Sequence, residues 1–166
     1  GRNVGDLLNE AGVTWGWFQG GFAVDGNGLC SSSHPLEWFD RAIGVDPASD
    51  PLRFPDYVPH HDPFQYFAST ANPRHLPPSS VEAIGHTDQA NHSYDLSWFR
   101  TAADAGNLPA VTFLKAPAYQ NGHPGNSTPL DEQAFLVETI NYLQSLPEWH
   151  DMVVIDTRRR FPEVAS

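Results

Sequence analysis

The 166-residue chain has one cysteine, one methionine and one lysine. The single cysteine, Cys30, excludes an internal disulfide and any metal site built from several cysteines. Lysine and arginine number 9 against 20 aspartates and glutamates, a net charge of −11, and this balance disfavours a general nucleic-acid binder, which needs cations to neutralise phosphates. No apolar run approaches the roughly 18 residues of a spanning helix, and no signal peptide opens the chain, so we expect no membrane span.

What the chain does contain is enough apolar surface for a folded domain. Hydrophobic residues make up 40% and aromatic residues 12% of it, which disfavours disorder, and the length fits one domain. Prolines crowd between Pro35 and Pro78. They preclude long helices and central strands there, so the sequence predicts a long proline-rich loop region over about residues 45–92.

Hydrophobic periodicity and capping residues predict an alternation of helices and strands. The predicted helices cover residues 4–11, 35–43, a segment capped by Ser93 and ending at Gly106, and a segment that Thr128, Pro129 and Asp131 open. The predicted strands cover residues 13–18, 110–114 and 152–155. This order predicts an α/β fold with a mostly parallel sheet covered by helices.

The apolar faces of these elements predict the core. Its predicted members are Trp15, Phe18, Leu96, Phe99, Val111, Phe113, Leu136, Ile140, Val153 and Ile155.

Two histidine motifs are candidates for chemistry. His60 and His61 stand in a proline-flanked loop, where both imidazoles can face one cavity and ligate a metal, bind an anion or transfer a proton. His123 is bracketed by Gly122 and Gly125 in the loop after the strand at 110–114, and loops beyond the carboxyl ends of parallel strands commonly hold sites. The alternative for each motif is a turn with solvated imidazoles. We expect the three histidines to converge on one cleft.

A third polar motif covers residues 85–92 and mixes histidine, aspartate and asparagine. Such residues can bind a metal or a substrate, but they also form turns and helix caps. We favour a turn and capping network for this motif.

The order of these motifs resembles the bacterial phosphoesterase family of acid phosphatases and phospholipases C, in the alkaline-phosphatase-like superfamily. The similarity runs over about residues 3–155. It is carried by residues 3–8, 20–22, 57–67, 74–78, 85–96, 108–116, 122–125 and 131–133.

The resemblance implies an α/β/α sandwich around a mostly parallel sheet, present here as a single partial domain over residues 1–166. It implies hydrolysis of phosphate monoesters or diesters, with a phosphate-ester small molecule or a phospholipid head group as the partner, and a periplasmic or secreted location. His60, His61 and His123 match the family's phosphate-pocket histidines. As catalytic and substrate-binding residues they would donate hydrogen bonds to phosphoryl oxygens or protonate the leaving group.

The resemblance also implies a divalent metal for the complete family enzyme. The family's nucleophile and first metal ligands are expected upstream of residue 1, and its acidic pair falls near Arg159 and Arg160, where three arginines would repel a cation. We therefore expect this chain to hold part of the pocket, to bind no metal by itself, to have little activity alone, and to associate with the missing parts of the same domain. Two alternatives remain: a non-catalytic relative that acts as an anion-binding or scaffold protein, and a metal-binding protein that uses the eight histidines.

Overall fold

The computed structural model describes residues 1–23 and 56–157. The helix predicted over 35–43 and the arginines at 158–160 lie outside the described residues. The described residues form three α-helices and three strands.

Helix α1 spans Val4–Glu10 and confirms the first predicted helix. The Asn3 side chain accepts hydrogen bonds from the amides of Gly5 and Asp6, and the Asp6 carboxylate accepts one from the amide of Asn3. This reciprocal capping box satisfies amides that have no partner inside the helix. Gly12, with φ of +66°, then turns the chain toward the first strand.

The sheet has three parallel strands in the order β2-β1-β3. Strand β1 spans Trp15–Gln19, β2 spans Ser93–Asp95 and β3 spans Val111–Lys115. Trp15 is in register with Val111, and Gln19 with Lys115. The predicted α/β class with a parallel sheet is confirmed, in an incomplete form.

Helices and short segments cover both faces of this sheet. On one face, the Trp15 indole packs on His92 and Phe64, and its Nε1 donates to Asn9 of α1. On the other face, Phe18 packs within a buried cluster whose further members are Ile84, Ala90, Tyr94, Phe99, Ala102 and Leu143. Phe99 and Ala102 come from helix α2, Ser97–Asp104, and Leu143 comes from helix α3, Pro129–Gln144.

The start of α2 differs from the prediction. Ser93 does not cap a helix but lies buried in β2, because residues 93–95 pair with β1. The Asp95 carboxylate instead accepts hydrogen bonds from the amide and hydroxyl of Ser97, the first residue of α2. The start of α3 is as predicted: Thr128 caps it, Pro129 is its first residue and Asp131 completes a capping box.

The strand predicted over 152–155 is wrong for this structure. Residues 152–155 pair with none of the described strands, and Val153 and Ile155 are 87% and 78% exposed. Their β-branched side chains favour a strand, but a strand forms only where a neighbour accepts its hydrogen bonds. These two residues therefore leave the predicted core.

The rest of the predicted core is buried to different degrees. Trp15, Phe18 and Phe99 are buried. Five more are partly buried: Leu96, Val111, Phe113, Leu136 and Ile140. Over residues 1–23 and 56–157, no helix is both long enough and apolar enough to cross a membrane.

Candidate functional site

The carboxyl edge of the sheet is where the two histidine motifs come together. The Gly20 amide after β1 donates to the Lys115 carbonyl at the end of β3, at 3.1 Å. The Gln19 side chain donates to the Val58 carbonyl at 3.0 Å, which ties the segment before His60 to the end of β1. Both motifs are thus anchored to the ends of neighbouring strands, where parallel sheets commonly form sites.

Glycines make this close approach possible. A Cβ atom on Gly20 would lie 2.5 Å from Cβ of Pro117, and one on Gly21 would lie 2.5 Å from the amide nitrogen of Tyr57. Gly21 also has φ of +74°, a conformation that residues with a side chain rarely adopt. The loop after β1 therefore packs directly on the backbone that leads to the histidine pair.

His60 and His61 lie in a short 3-10 helix, Pro59–His61. Their rings meet edge to face, with centroids 4.4 Å apart. Asp62 ends this turn and caps the next one, because its carboxylate accepts a hydrogen bond from the Phe64 amide at 3.0 Å. His60 is exposed and His61 is half-buried.

His123 is placed by hydrogen bonds inside its own loop. Its amide donates to Oδ1 of Asn121 at 2.9 Å, and the Gly122 amide donates to the Ser127 hydroxyl at 2.8 Å. Nδ1 of His123 donates to the Pro124 carbonyl at 2.8 Å, which leaves Nε2 for a ligand.

The predicted convergence is confirmed. The rings of His61 and His123 have centroids 5.8 Å apart although they come from different loops, and His60 contacts His61.

Burial and positive charge set the ionisation of His61. Burial, and then the nearby Lys115, His60 and His123, lower the pKa of the His61 imidazole to about 4. The ring is therefore uncharged at neutral pH. Its Nδ1 is buried and has no hydrogen-bond partner within the described parts of the chain, so this polar atom is unsatisfied by the described residues.

Three polar residues at this edge are not among the sequence-predicted site residues. Asp62 is fully buried, and burial raises the pKa of its carboxyl group to about 6. Lys115 ends β3 half-buried, and burial lowers the pKa of its ammonium group. Asn121 is buried, and its Nδ2 has no hydrogen-bond partner among residues 1–23 and 56–157. For Lys115, the available signal is its place directly after the strand predicted over 110–114 and directly before the His123 loop.

The motif over residues 85–92 forms the favoured turn network. Buried His92 stacks on Trp15 with ring centroids 4.3 Å apart, and its Nδ1 donates to the Trp15 carbonyl at 2.9 Å. Nε2 of His92 is hydrogen bonded to the Thr87 hydroxyl at 3.1 Å. The Asp88 carboxylate accepts from the Ala90 amide at 2.8 Å, so the polar groups of this motif hold turns together.

The described side chains do not form a site for the expected divalent metal. Within the part of the chain that the structure describes, no group of three or more histidine, cysteine, aspartate or glutamate side chains is arranged to hold a metal ion. The described residues by themselves do not fit such an ion, so no chemical step is derived through one.

No curated protein matches the chain. The family model described as "Phosphoesterase family" matches residues 1–157, which supports, at this coarse level, an activity on phosphoric esters. Because the match covers almost the whole sequence, the chain belongs to the phosphoesterase family.

Proposed function

We propose that the chain binds the phosphoryl group of a phosphoric ester between His61 and His123 and takes part in its hydrolysis. The observation that carries the proposal is the meeting of these two rings at the carboxyl edge of the sheet, together with the buried, unpartnered Nδ1 of His61. An uncharged imidazole donates a hydrogen bond to a phosphoryl oxygen without bringing a charge of its own.

The two exposed histidines supply the proton chemistry in this proposal. His60 and His123 flank His61 on the open side of the edge. An imidazolium within reach of the ester oxygen protonates the leaving alcohol as the phosphorus–oxygen bond breaks and the attacking nucleophile, which the resemblance places upstream of residue 1, bonds to phosphorus. Because Nδ1–H of His123 is held by the Pro124 carbonyl, Nε2 has a proton to give only in the imidazolium form, in which both ring nitrogens are protonated.

The finer substrate class follows from the resemblance and from charge. An acid phosphatase or a phospholipase C type of activity, in the periplasm or outside the cell, is what the resemblance implies. With a net charge of −11 the chain is poorly suited to docking on anionic lipid, which attracts clusters of lysine and arginine. We therefore propose a small monoester or diester before a phospholipid head group. A divalent metal, as in the complete family enzyme, would need ligands beyond those described.

A non-catalytic, anion-binding relative is the second candidate. It is favoured by one observation: the described residues bring imidazoles together without a cluster of metal ligands. Both candidates predict phosphate binding at the same histidines, so only turnover of the ester distinguishes them.

The test combines binding and hydrolysis on the full chain. Phosphate and vanadate are titrated by NMR, and p-nitrophenyl phosphate and its bis ester are assayed with and without added divalent cations. His61→Ala and His123→Ala should each weaken phosphate binding roughly tenfold or more, the scale of one lost hydrogen bond to a charged group. His150→Ala, an exposed histidine in the Pro147–Asp151 turn, is the matched control.

The outcomes separate the candidates. Binding that depends on His61 and His123, with turnover, supports the hydrolase. The same binding without turnover under any condition supports an anion-binding role for this chain by itself, as the expectation of little activity alone also predicts. Binding that neither variant weakens, or that His150→Ala weakens equally, contradicts both.

A further inference from the structure

Strand geometry fixes the face on which the Lys115 side chain lies. Alternate residues of a strand share a face, so Lys115 lies on the same side of β3 as Phe113. The Phe113 ring packs against Phe64 with centroids 5.6 Å apart, and Phe64 belongs to the segment that directly follows His61. Lys115 therefore points toward the segment that carries the histidine pair, at the carboxyl edge of the sheet.

The positive charge of the Lys115 ammonium group has no close counterion among the described residues. Lys115 is the only lysine of the chain, it is half-buried, and within residues 1–23 and 56–157 it forms no ion pair. Glu132 of α3 is near enough to favour its charged form, but burial opposes that charge more strongly. A partly desolvated cation without a close counterion is stabilised by an anion that enters beside it.

We propose that Lys115 is a substrate-binding residue that makes the His61–His123 site prefer the doubly charged phosphoryl group of a monoester over the singly charged group of a diester. This inference rests on the proposed function, because it assigns the substrate class of that same site. His61 contributes no charge at neutral pH, so the proposal assigns the positive charge that meets the phosphoryl group to Lys115.

The preference follows from charge number. At pH 8 a phosphate monoester carries close to two negative charges, since its second pKa is near 6, whereas a diester carries one. A cation a few ångströms away gains more from the second charge, and at an effective dielectric constant near 20 that gain is on the order of tenfold or more in affinity.

The experiment measures two dissociation constants for each of several full-length chains. Phenyl phosphate and diphenyl phosphate are titrated by NMR at pH 8 and one fixed salt concentration. Lys115→Met keeps the length of the apolar stem and removes the charge, and Lys115→Arg keeps the charge. Arg100→Met is the matched control, because it also removes one positive charge but from α2, where Arg100 lies over Tyr142.

The expected result is a change in the ratio of the two affinities. Lys115→Met should weaken phenyl phosphate binding roughly tenfold while diphenyl phosphate changes far less, Lys115→Arg should retain most of the preference, and Arg100→Met should leave the ratio unchanged. Amide chemical-shift patterns confirm that each variant is folded.

Each other outcome has a definite meaning. If the wild-type chain does not prefer the monoester, or if Lys115→Met keeps the wild-type ratio, the inference is overturned while the proposed function stands. If His61→Ala and His123→Ala leave phenyl phosphate binding intact, the proposed function itself fails. If Arg100→Met changes the ratio as much as Lys115→Met, the preference reflects overall charge and the role of Lys115 is rejected.

Discussion

Asp62 has a carboxyl group that the fold buries completely. Replacing Asp62 with asparagine removes this ionisable group, so the difference in stability between the two chains measures what its ionisation costs. Burial raises the pKa of Asp62 from its usual 3.8 to about 6. Since one pKa unit corresponds to about 1.4 kcal/mol, ionising Asp62 costs the folded state about 3 kcal/mol relative to the unfolded chain. Asparagine keeps an oxygen that can accept the hydrogen bond from the Phe64 amide.

The sign of the pH dependence follows from the raised pKa. Below about pH 4 the carboxyl group is protonated in both states, so wild type and Asp62→Asn should have similar stability. As pH rises from about 4 to about 6 the unfolded chain loses the Asp62 proton before the folded chain does, so the wild-type chain loses stability that the variant keeps, and above that range the difference levels off. The difference should grow to about 3 kcal/mol in favour of the variant by about pH 7.5.

Urea unfolding of both chains at intervals between pH 4 and 8 measures this difference directly. The neighbouring His61 also has a shifted pKa, but it is present in both chains, so its effect largely cancels in the difference. Asp62→Ala should be destabilised at every pH by about 1 kcal/mol more than Asp62→Asn, because the cap is lost. A difference between wild type and Asp62→Asn that stays constant over this range, or that grows toward acid pH, would refute the argument.

Four further substitutions test the architecture by thermal or urea unfolding. Gly21→Ala should cost about 2 kcal/mol or more, because a Cβ atom would lie 2.5 Å from the Tyr57 nitrogen at a φ of +74°; a neutral result would show that the two loops do not pack as described. Thr128→Ala should cost about 1 kcal/mol through loss of its cap on α3, and full rescue by serine is expected. Val153→Ser should change stability by less than about 0.5 kcal/mol, whereas Phe18→Ala should cost about 3–5 kcal/mol; a large effect at Val153 would mean that the residue is buried after all.

Local signals predicted the parts of the fold that depend on local interactions. The cap formed by Thr128, Pro129 and Asp131 is a pattern of neighbouring residues, and the structure has the helix that it predicts. Ser93 shows the limit of such reasoning. A serine before an apolar run is typical of a helix cap, but pairing with β1 places Ser93 in a strand, and nothing within the run itself reveals that partner.

In the candidate site, too, some features can be predicted from neighbouring residues and others cannot. Gly122 and Asn121 shape the His123 loop through contacts within a few residues, and glycines beside a histidine are visible in the sequence. The buried carboxyl group of Asp62 could not be predicted, because its burial depends on segments brought over it by the fold.

The sequence by itself determined the α/β class, most helix ends and the membership in a phosphoesterase family, because periodicity, capping residues and motif order are properties of the chain. Only the tertiary structure decided that Asp62 is buried, that Lys115 lies half-buried at the end of β3, and that Val153 and Ile155 stay exposed. The physical reason is that charge, burial and strand pairing depend on neighbours distant in sequence. The three-stranded parallel sheet sets those neighbours through its order and register.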